Sequence, residues 1–368
     1  MKAPEIDSDL LSKSPLSQAE LPTTDGAIAL INLQSQIECQ QRPDRWHLLM
    51  VEQRAGLVEL IALRGQFLGC IADYEQAEVL AQQLVEDAPT EGICWFLQAK
   101  IGSIFHRFSE ALVDLDRAEA LGMERREVEV ARAGIFQATG RYDAALEIYQ
   151  QAAEKQPNID TLGKLAALNW ERGEIASAER LFAEAQYRYR GVSPLPVAWL
   201  YFQQGHMWMG EGNLQRAREL FEAAHSRFPA YAAAQGHLAE VYAALGDRAV
   251  AIALLQPLAQ SSDDPDYASE LSRILGEVNR IEEALHWRNI VAQRYDELIA
   301  RHPEAFADHA AYFWLGAGAN PRKALQLAQK NLSVRQTPRA YRLLYQAAAA
   351  SQETAIAQEA SEHLRRQI

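Results

Sequence analysis

Residues 128–157 read VEVARAGIFQATGRYDAALEIYQQAAEKQP. Two amphipathic stretches, Val128 to Ala138 and Ala144 to Glu154, flank the short segment Thr139-Gly140-Arg141-Tyr142-Asp143, and Pro157 follows the second. In the second stretch Ala145, Ile148, Tyr149 and Ala152 recur at helical spacing, so one face of a helix is apolar. Gly140 supplies a stop, because glycine accepts the left-handed conformation that ends a helix. Pro157 supplies another, because proline has no amide hydrogen to continue the ladder. These thirty residues predict two helices folded back around a glycine turn, each with a face to bury.

The same phrase returns along the chain. A turn residue, an aromatic or apolar residue, two polar or small residues and an alanine recur with the alanine at Ala77, Ala111, Ala145, Ala178, Ala217, Ala251, Ala284, Ala324 and Ala355. The intervals are 34, 34, 33, 39, 34, 33, 40 and 31 residues. A comb of this period marks nine stacked helix pairs, none of which buries its apolar face alone. Gly173, Gly212 and Gly246 fill the turn that Gly140 fills. Twelve residues before each alanine the close approach of two helices calls for a small side chain, and Gly65, Ala99, Ala133, Ala166, Gly205, Ala239 and Ser272 provide one. Tyr312 and Leu343 break the rule in the last two units, which predicts wider separation or a shifted register there.

The pattern resembles the tetratricopeptide repeat, whose signature is W-x2-L-G-x2-Y, then A-x3-F, then P. The fifth unit carries it best, with Tyr201, Gln204, Gly205 and Trp208, then Ala217 through Phe221, then Pro229. Trp95 with Ala99 and Ala111, and Ala178 with Phe182, match in part. The resemblance covers about residues 58–362 and implies an all-α fold, a right-handed α–α superhelix of antiparallel helix pairs. The expected organisation is a polar lead over 1–25, capping helices over 26–57, units one to four over 58–190, and units five to nine with a carboxyl-terminal cap over 191–368. The boundary near 190 rests on the long interval that holds Gly191, Pro194 and Pro196. The second long interval reads as a lengthened helix, His286 through Ala300.

By the same resemblance the first helix of each unit lines the concave surface. Offsets of 18, 15, 11 and 8 before each alanine then give Ile93, Phe96, Lys100 and Ser103 in unit two, and Asp160, Gly163, Ala167 and Trp170 in unit four. Unit five gives Trp199, Phe202, His206 and Met209, and unit six includes Gly236 and Glu240. Phe96, Lys100, Trp170, Trp199, Phe202, His206, Met209 and Glu240 are therefore the expected peptide groove, with Gly163 and Gly236 leaving room for side chains. Two readings of the aromatic stripe stand side by side: a shelf for a partner's side chains, or filler for the gap that the long interval opens. The set of lysines and asparagines with which some relatives clamp a chaperone tail is not found at these offsets, where unit two alone has a lysine, Lys100.

Composition bounds the rest. Apolar residues make up 48% and charged residues 23%, which excludes wholesale disorder. Thirty-six basic against forty-nine acidic side chains leave a formal charge of −13, which argues against nucleic acid as a general partner. Yet no Asp or Glu occurs from His309 through Gln352, where Arg322, Lys323, Lys330, Arg335, Arg339 and Arg342 lie. That run is either a patch for an acidic partner or a set of helix-end cations. Cys39, Cys70 and Cys94 make no paired motif, no stretch is apolar enough to span a membrane, and Asp7 and Asp9 stand where a secretory signal is basic, so a cytoplasmic protein is expected. His302, Glu304, Asp308 and His309 are the densest potential ligands and read as a helix start, with no metal or cofactor expected. Nucleophile-elbow, phosphate-loop, dinucleotide and zinc-protease motifs are all missing. The expected function is a non-catalytic scaffold, monomeric or homodimeric, that holds a peptide or helix of another protein. A peptide-responsive regulator comes second, and a metal-dependent enzyme on an α-solenoid a distant third.

Overall fold

A computed structural model describes residues 23–41 and 49–366. The sequence reading of the first 22 residues as a polar, untargeted lead lies outside the described residues. Among the described residues every regular element is an α-helix. After α1 (Gly26–Gln40) the helices pair: α2 (Val51–Leu68) with α3 (Ile71–Asp87), α4 (Gly92–Ile104) with α5 (Phe108–Ala120), α6 (Arg125–Ala138) with α7 (Tyr142–Lys155), and α8 (Ile159–Glu171) with α9 (Ile175–Arg188). Then come α10 (Leu195–Gly210) with α11 (Leu214–Arg227), α12 (Ala232–Ala244) with α13 (Arg248–Ser261), α14 (Pro265–Glu277) with α15 (Ile281–Arg301), α16 (Ala307–Leu315) with α17 (Pro321–Val334), and α18 (Pro338–Ala350) with α19 (Thr354–Arg366). These nine antiparallel pairs stack into a right-handed α–α superhelix. The first pair begins at Val51 rather than at 58.

The turn within most pairs is the same object. Gly140, Gly173, Gly212 and Gly246 have positive φ, and His106, Asn279 and Gln352 adopt that conformation at the matching place in units two, seven and nine. The amide that follows reaches back five residues, as in Arg141 N to Phe136 O at 2.7 Å and Asp247 N to Tyr242 O at 2.8 Å. This closure satisfies carbonyls that a helix end otherwise leaves bare. Beyond it, seven of the nine marker alanines are at most 1% exposed, and Ala284 is 9% exposed. The small residues opposite are equally confined: a Cβ on Gly205 would meet the Phe221 ring at 2.7 Å, and the Ser272 hydroxyl donates to the Ala284 carbonyl at 2.8 Å.

The last two units correct the comb. Ala355 is exposed, while Ala357, at the fourth position of α19, is buried, so the ninth marker is Ala357 and its interval is 33 residues. In unit eight the turn runs over five residues, 316–320, where its neighbours use three, and fully buried Ala310 and Ala311 take the small-residue role. Tyr312 is thereby turned off the helix contact and is 37% exposed. Of the two expected alternatives, the register shifts.

A full turn of the superhelix brings early units against late ones, and the chain touches itself along a seam. In unit one, Asp263 from the α13–α14 link accepts from the Ile71 and Ala72 amides at 2.6 and 2.8 Å, capping α3 from another repeat. Ser262 donates to the Gly69 carbonyl, and α2 packs on α12. In unit two, His302 stacks on Phe105 at 4.1 Å and the His106 ring is 3.0 Å from the Glu304 carbonyl, while His302 also bonds Glu75 of unit one at 3.0 Å. In unit three, Arg335 donates to the Ala138 carbonyl at 3.2 Å. The 21-residue α15 is the lengthened helix expected from sequence, and its end makes a further contact with unit one: Arg301 meets Glu75 at 2.8 Å. The segment leading into α1 is tied to the α9–α10 link, with Thr24 N to Val192 O at 2.7 Å.

Replacing Asp263 by Ala removes the cap on α3, a loss of about 0.5–2 kcal/mol for capping side chains in general. The expected outcome is faster hydrogen exchange at Ile71 and Ala72 with helical content unchanged, read by mass spectrometry of the exchanged protein.

Candidate functional site

The concave wall has two parts. Between α2, α4, α6 and α8 lies a cavity of about 1300 Å³. The offsets place its lining well: Glu59, Ala62 and Gln66 from unit one, Phe96, Lys100 and Ser103 from unit two, and Glu127, Val130 and Gly134 from unit three face it, with Asp160 and Lys164 of unit four at the edge. Leu60, Leu63, Ile104 and Val130 give it an apolar floor. Lys100 bridges to Glu59 across two units at 2.7 Å and lies 5.6 Å from the Phe96 ring centroid. Lys164 meets Asp160 at 2.8 Å. Phe96 is only 8% exposed, so little of its ring is available.

The aromatic residues expected as a shelf belong to the second part, where the protein packs on itself. Trp199 occupies the space that Gly163 leaves, since a Cβ there would meet its ring at 2.7 Å, and Tyr267 fills the space at Gly236 in the same way. Trp170 stands edge-on to His206 at 5.1 Å and donates to Glu211 at 3.2 Å. Phe202 lies near His206, Phe221, Tyr231 and His237 at 5.1–6.2 Å between centroids. Leu30 and Leu63 from the first turn join Phe202 in one cluster around Phe67, Phe228 and Tyr231. Met209 is half-buried beside Phe221, and Glu240 pairs with His237 at 3.1 Å. Trp170, Phe202 and His206 thus come together, whereas Phe96 and Lys100 lie apart from them in the cavity.

Farther along, the concave wall turns polar. His309 Nδ1 meets Asp266 at 2.5 Å, its other ring nitrogen lies 3.7 Å from Asp308, and the Tyr295 hydroxyl also donates to Asp266. These groups are ringed by protein yet reached by solvent, with His309 and Asp266 side chains 41% and 38% exposed. The Asp266 carboxylate raises His309 to about 10, against the opposing effect of burial. Burial pushes Asp266 up, but His309 and Tyr295 pull it down further. Burial and the neighbouring His237 lower His206 to about 3, so that ring is neutral. On His237 burial opposes the charge, and Glu240 outweighs it and raises the ring above its ordinary value.

The six basic residues do not form one bare patch. Lys323 meets Asp296 at 2.5 Å and lies over the Trp314 ring, Lys330 meets Glu304 at 3.5 Å, and Arg335 meets Asp308 at 3.3 Å. Arg322 and Arg342 are exposed, and Arg339 lies beside Tyr312 on the concave side. The acids come from α15, α16 and the link between them, which a run of sequence free of Asp and Glu does not disclose. His302 and His309 go to different partners, and among the described residues no three His, Cys, Asp or Glu side chains are arranged to hold a metal ion. Asp266 and Arg273, at offsets 18 and 11 before Ala284, were legible by extending the offsets to unit seven. His237 falls between the offsets and carries no such signal.

Tandem helix pairs, repeated left-handed turns and a concave wall built from first helices define an α-solenoid of the repeat class. A family model described as tetratricopeptide repeat matches residues 209–274. A chain of the APC/C hetero-tetramer Cut9–Hcn1 shares the fold at a TM-score of 0.50 and 13% identity, covering 93% of this chain and 73% of that one. A human IFIT1 dimer with PPP-AAAA aligns at a TM-score of 0.45 and 15% identity, covering 97% and 98%. No curated protein matches the sequence. Residues 209–274 thus match the tetratricopeptide-repeat family by sequence, and the chain as a whole has the fold of such a solenoid.

The His309–Asp266 pair sets a pH window. The raised His309 value contributes stability that is complete below its ordinary 6.5 and disappears as the pH rises through about 10. The lowered Asp266 value contributes stability present above its ordinary 3.8 and lost as the pH falls below that. Nitrogen-15 NMR near neutral pH should find both His309 nitrogens protonated, and Asp266→Asn should return the ring to the neutral form.

Proposed function

We propose that the protein is a non-catalytic interaction scaffold that holds a peptide or helical segment of a partner in the cavity of units one to four. Stacked repeats present extended concave surfaces for this purpose. The observation that carries the reading is the cavity itself. At about 1300 Å³ it exceeds the roughly 300–1,000 Å³ of small-molecule pockets and suits a segment of chain. Its floor is apolar and its rim polar, with Glu59, Lys100, Glu127 and Lys164 at the edges, the division that protein interfaces use. Phe96 and Lys100 act as anchor edge and rim cation. Among the described residues no helix is long and apolar enough to cross a membrane, and Cys39, Cys70 and Cys94 are free thiols, which supports a cytoplasmic setting.

Gly134→Arg tests the reading without breaking the fold. A Cβ at Gly134 finds only the Tyr149 hydroxyl, at 3.6 Å, and arginine favours a helix over glycine by somewhat under about 1 kcal/mol. Its long side chain then enters the cavity. In affinity capture from lysate, partners held by wild type and by the outer-face variant Glu147→Arg should be lost from Gly134→Arg by about tenfold or more, a change of about 1.4 kcal/mol. Equal capture by all three proteins would remove the cavity from consideration.

A further inference from the structure

We infer that a small pocket between α3 and α5, the second helices of units one and two, receives the ammonium head of a lysine on a partner protein. It is a different site from the concave cavity, since Gln98 and Gly102 in its wall lie on the face of α4 opposite Lys100. Equivalent positions of the repeat show how the pocket arises. Nine residues before the marker alanine, Leu68, Phe136, Trp208, Tyr242 and Leu275 are large, whereas unit two has Gly102, where a Cβ would meet only the Ala111 Cβ at 3.8 Å. Three residues after the marker the other eight units are apolar, as at Leu80, Ile148, Leu181 and Leu220, whereas unit two has Asp114. A missing side chain thus leaves a space of about 80 Å³, and a carboxylate stands where the repeat has core.

Asp114 is a buried charge without a counter-charge. It is 9% exposed, its Oδ2 accepts from Gln98 at 3.3 Å, and among the described residues no cation is in ion-pair contact with it. Arg107, also in the wall, is bound to Glu78, and Arg117 lies over the Trp95 ring, 4.5 Å from its centroid. Burial pushes the Asp114 carboxyl up, with the Gln98 bond and Arg117 opposing. A carboxylate so placed costs free energy that the apolar residue of the other units avoids, and a cation entering the pocket offsets that cost.

Size and lining select the cation. The space holds a few water molecules of about 30 Å³ each, or an ammonium with its last methylenes, and lies far below the roughly 300 Å³ at which drug-sized sites begin. An ammonium is a compact charge with three donors, which oxygens of Asp114, Glu110 and Gln82 can accept from different directions, whereas a guanidinium needs a planar partner. Among the described residues no three His, Cys, Asp or Glu side chains are arranged to hold a metal ion, so the site suits an organic cation. Its surroundings suit the stem that carries such a head. Val79 and Val113, each 53% exposed, take the outward position two residues after the marker, where units three to five have Glu147, Arg180 and Glu219. Lysine methylenes lie along apolar surface of this kind, and the formal charge of −13 draws a basic partner.

The test uses the full-length protein and n-butylammonium chloride, a lysine side chain without its backbone, with n-butanol and the donor-free tetramethylammonium ion as parallel probes. Nitrogen-15 NMR should show saturable shifts at the Gly102 amide and the Gln98 side chain with n-butylammonium alone. Asp114→Leu, which restores the residue type of the other units, should melt at a higher temperature than wild type yet bind n-butylammonium at least about tenfold more weakly. Gly102→Leu, which fills the space and keeps the carboxylate, should show the same loss, and Gly134→Arg should bind as wild type does. The peptide acetyl-Ala-Val-Lys-Val-Ala-amide should bind more tightly than n-butylammonium, and its form acetylated on the lysine should not bind. No n-butylammonium binding by wild type, equal binding by Asp114→Leu, or a peptide weaker than the free amine would each overturn the inference. Because Gly134→Arg alters only the concave cavity, loss of partner capture there and loss of amine binding in Asp114→Leu are separate results.

Discussion

In unit after unit, two helices meet where their side chains are smallest. A Cβ on Gly65 would run into Asp73 and the Cys70 carbonyl, one on Gly205 into the Phe221 ring, and the Ser272 hydroxyl reaches the Ala284 carbonyl, so at each meeting a larger side chain has no room. Packing at this density tolerates little change of volume, so the separation and angle of each pair are held within narrow limits. Identical pairs joined by similar turns then repeat one small rotation, and the superhelix is the sum of those rotations. Where the contact changes register, in unit eight, the turn lengthens and Tyr312 is freed to face the concave side.

The accumulated rotation returns unit one to units six and seven, and the seam follows. Polar contacts dominate it: a carboxylate capping a foreign helix, histidine rings beside Phe105 and a carbonyl, and an arginine on a helix end. These contacts close the turn without a large apolar interface. Apolar contact is concentrated instead around Phe67, which reaches Phe228 and Tyr231 at 5.1 and 4.7 Å. Closure has a functional consequence, because the wall of units five and six is covered by the chain's own first turn while units one to four keep an open cavity. The open part of the concave wall therefore lies in the early units.

Electrostatics on the late wall obey a different rule from the surface. Charges ringed by protein cost free energy unless paired, and pairs appear wherever acids face inward. His309 stays protonated far above its ordinary range because Asp266 and Asp308 surround it, and His206, facing aromatics and a second imidazole, loses its proton readily.

Much of this architecture was legible in the residues. The nine pairs, their turns and the inward offsets follow from local rules: helical spacing of apolar residues, left-handed glycines, and prolines after helices. Those rules act over fewer than about forty residues, so a period reveals them. Phe96 and Lys100 were placed on the concave side this way, and both line the cavity. The sequence could not disclose that Trp199 would fill the hollow at Gly163, that Asp263 would cap α3, or that Asp296, Glu304 and Asp308 would neutralise a basic run. Those outcomes join residues on different units and, at the seam, on different turns. They depend on a rotation too small to read in one unit and decisive when summed over six, and only the tertiary structure performs that sum.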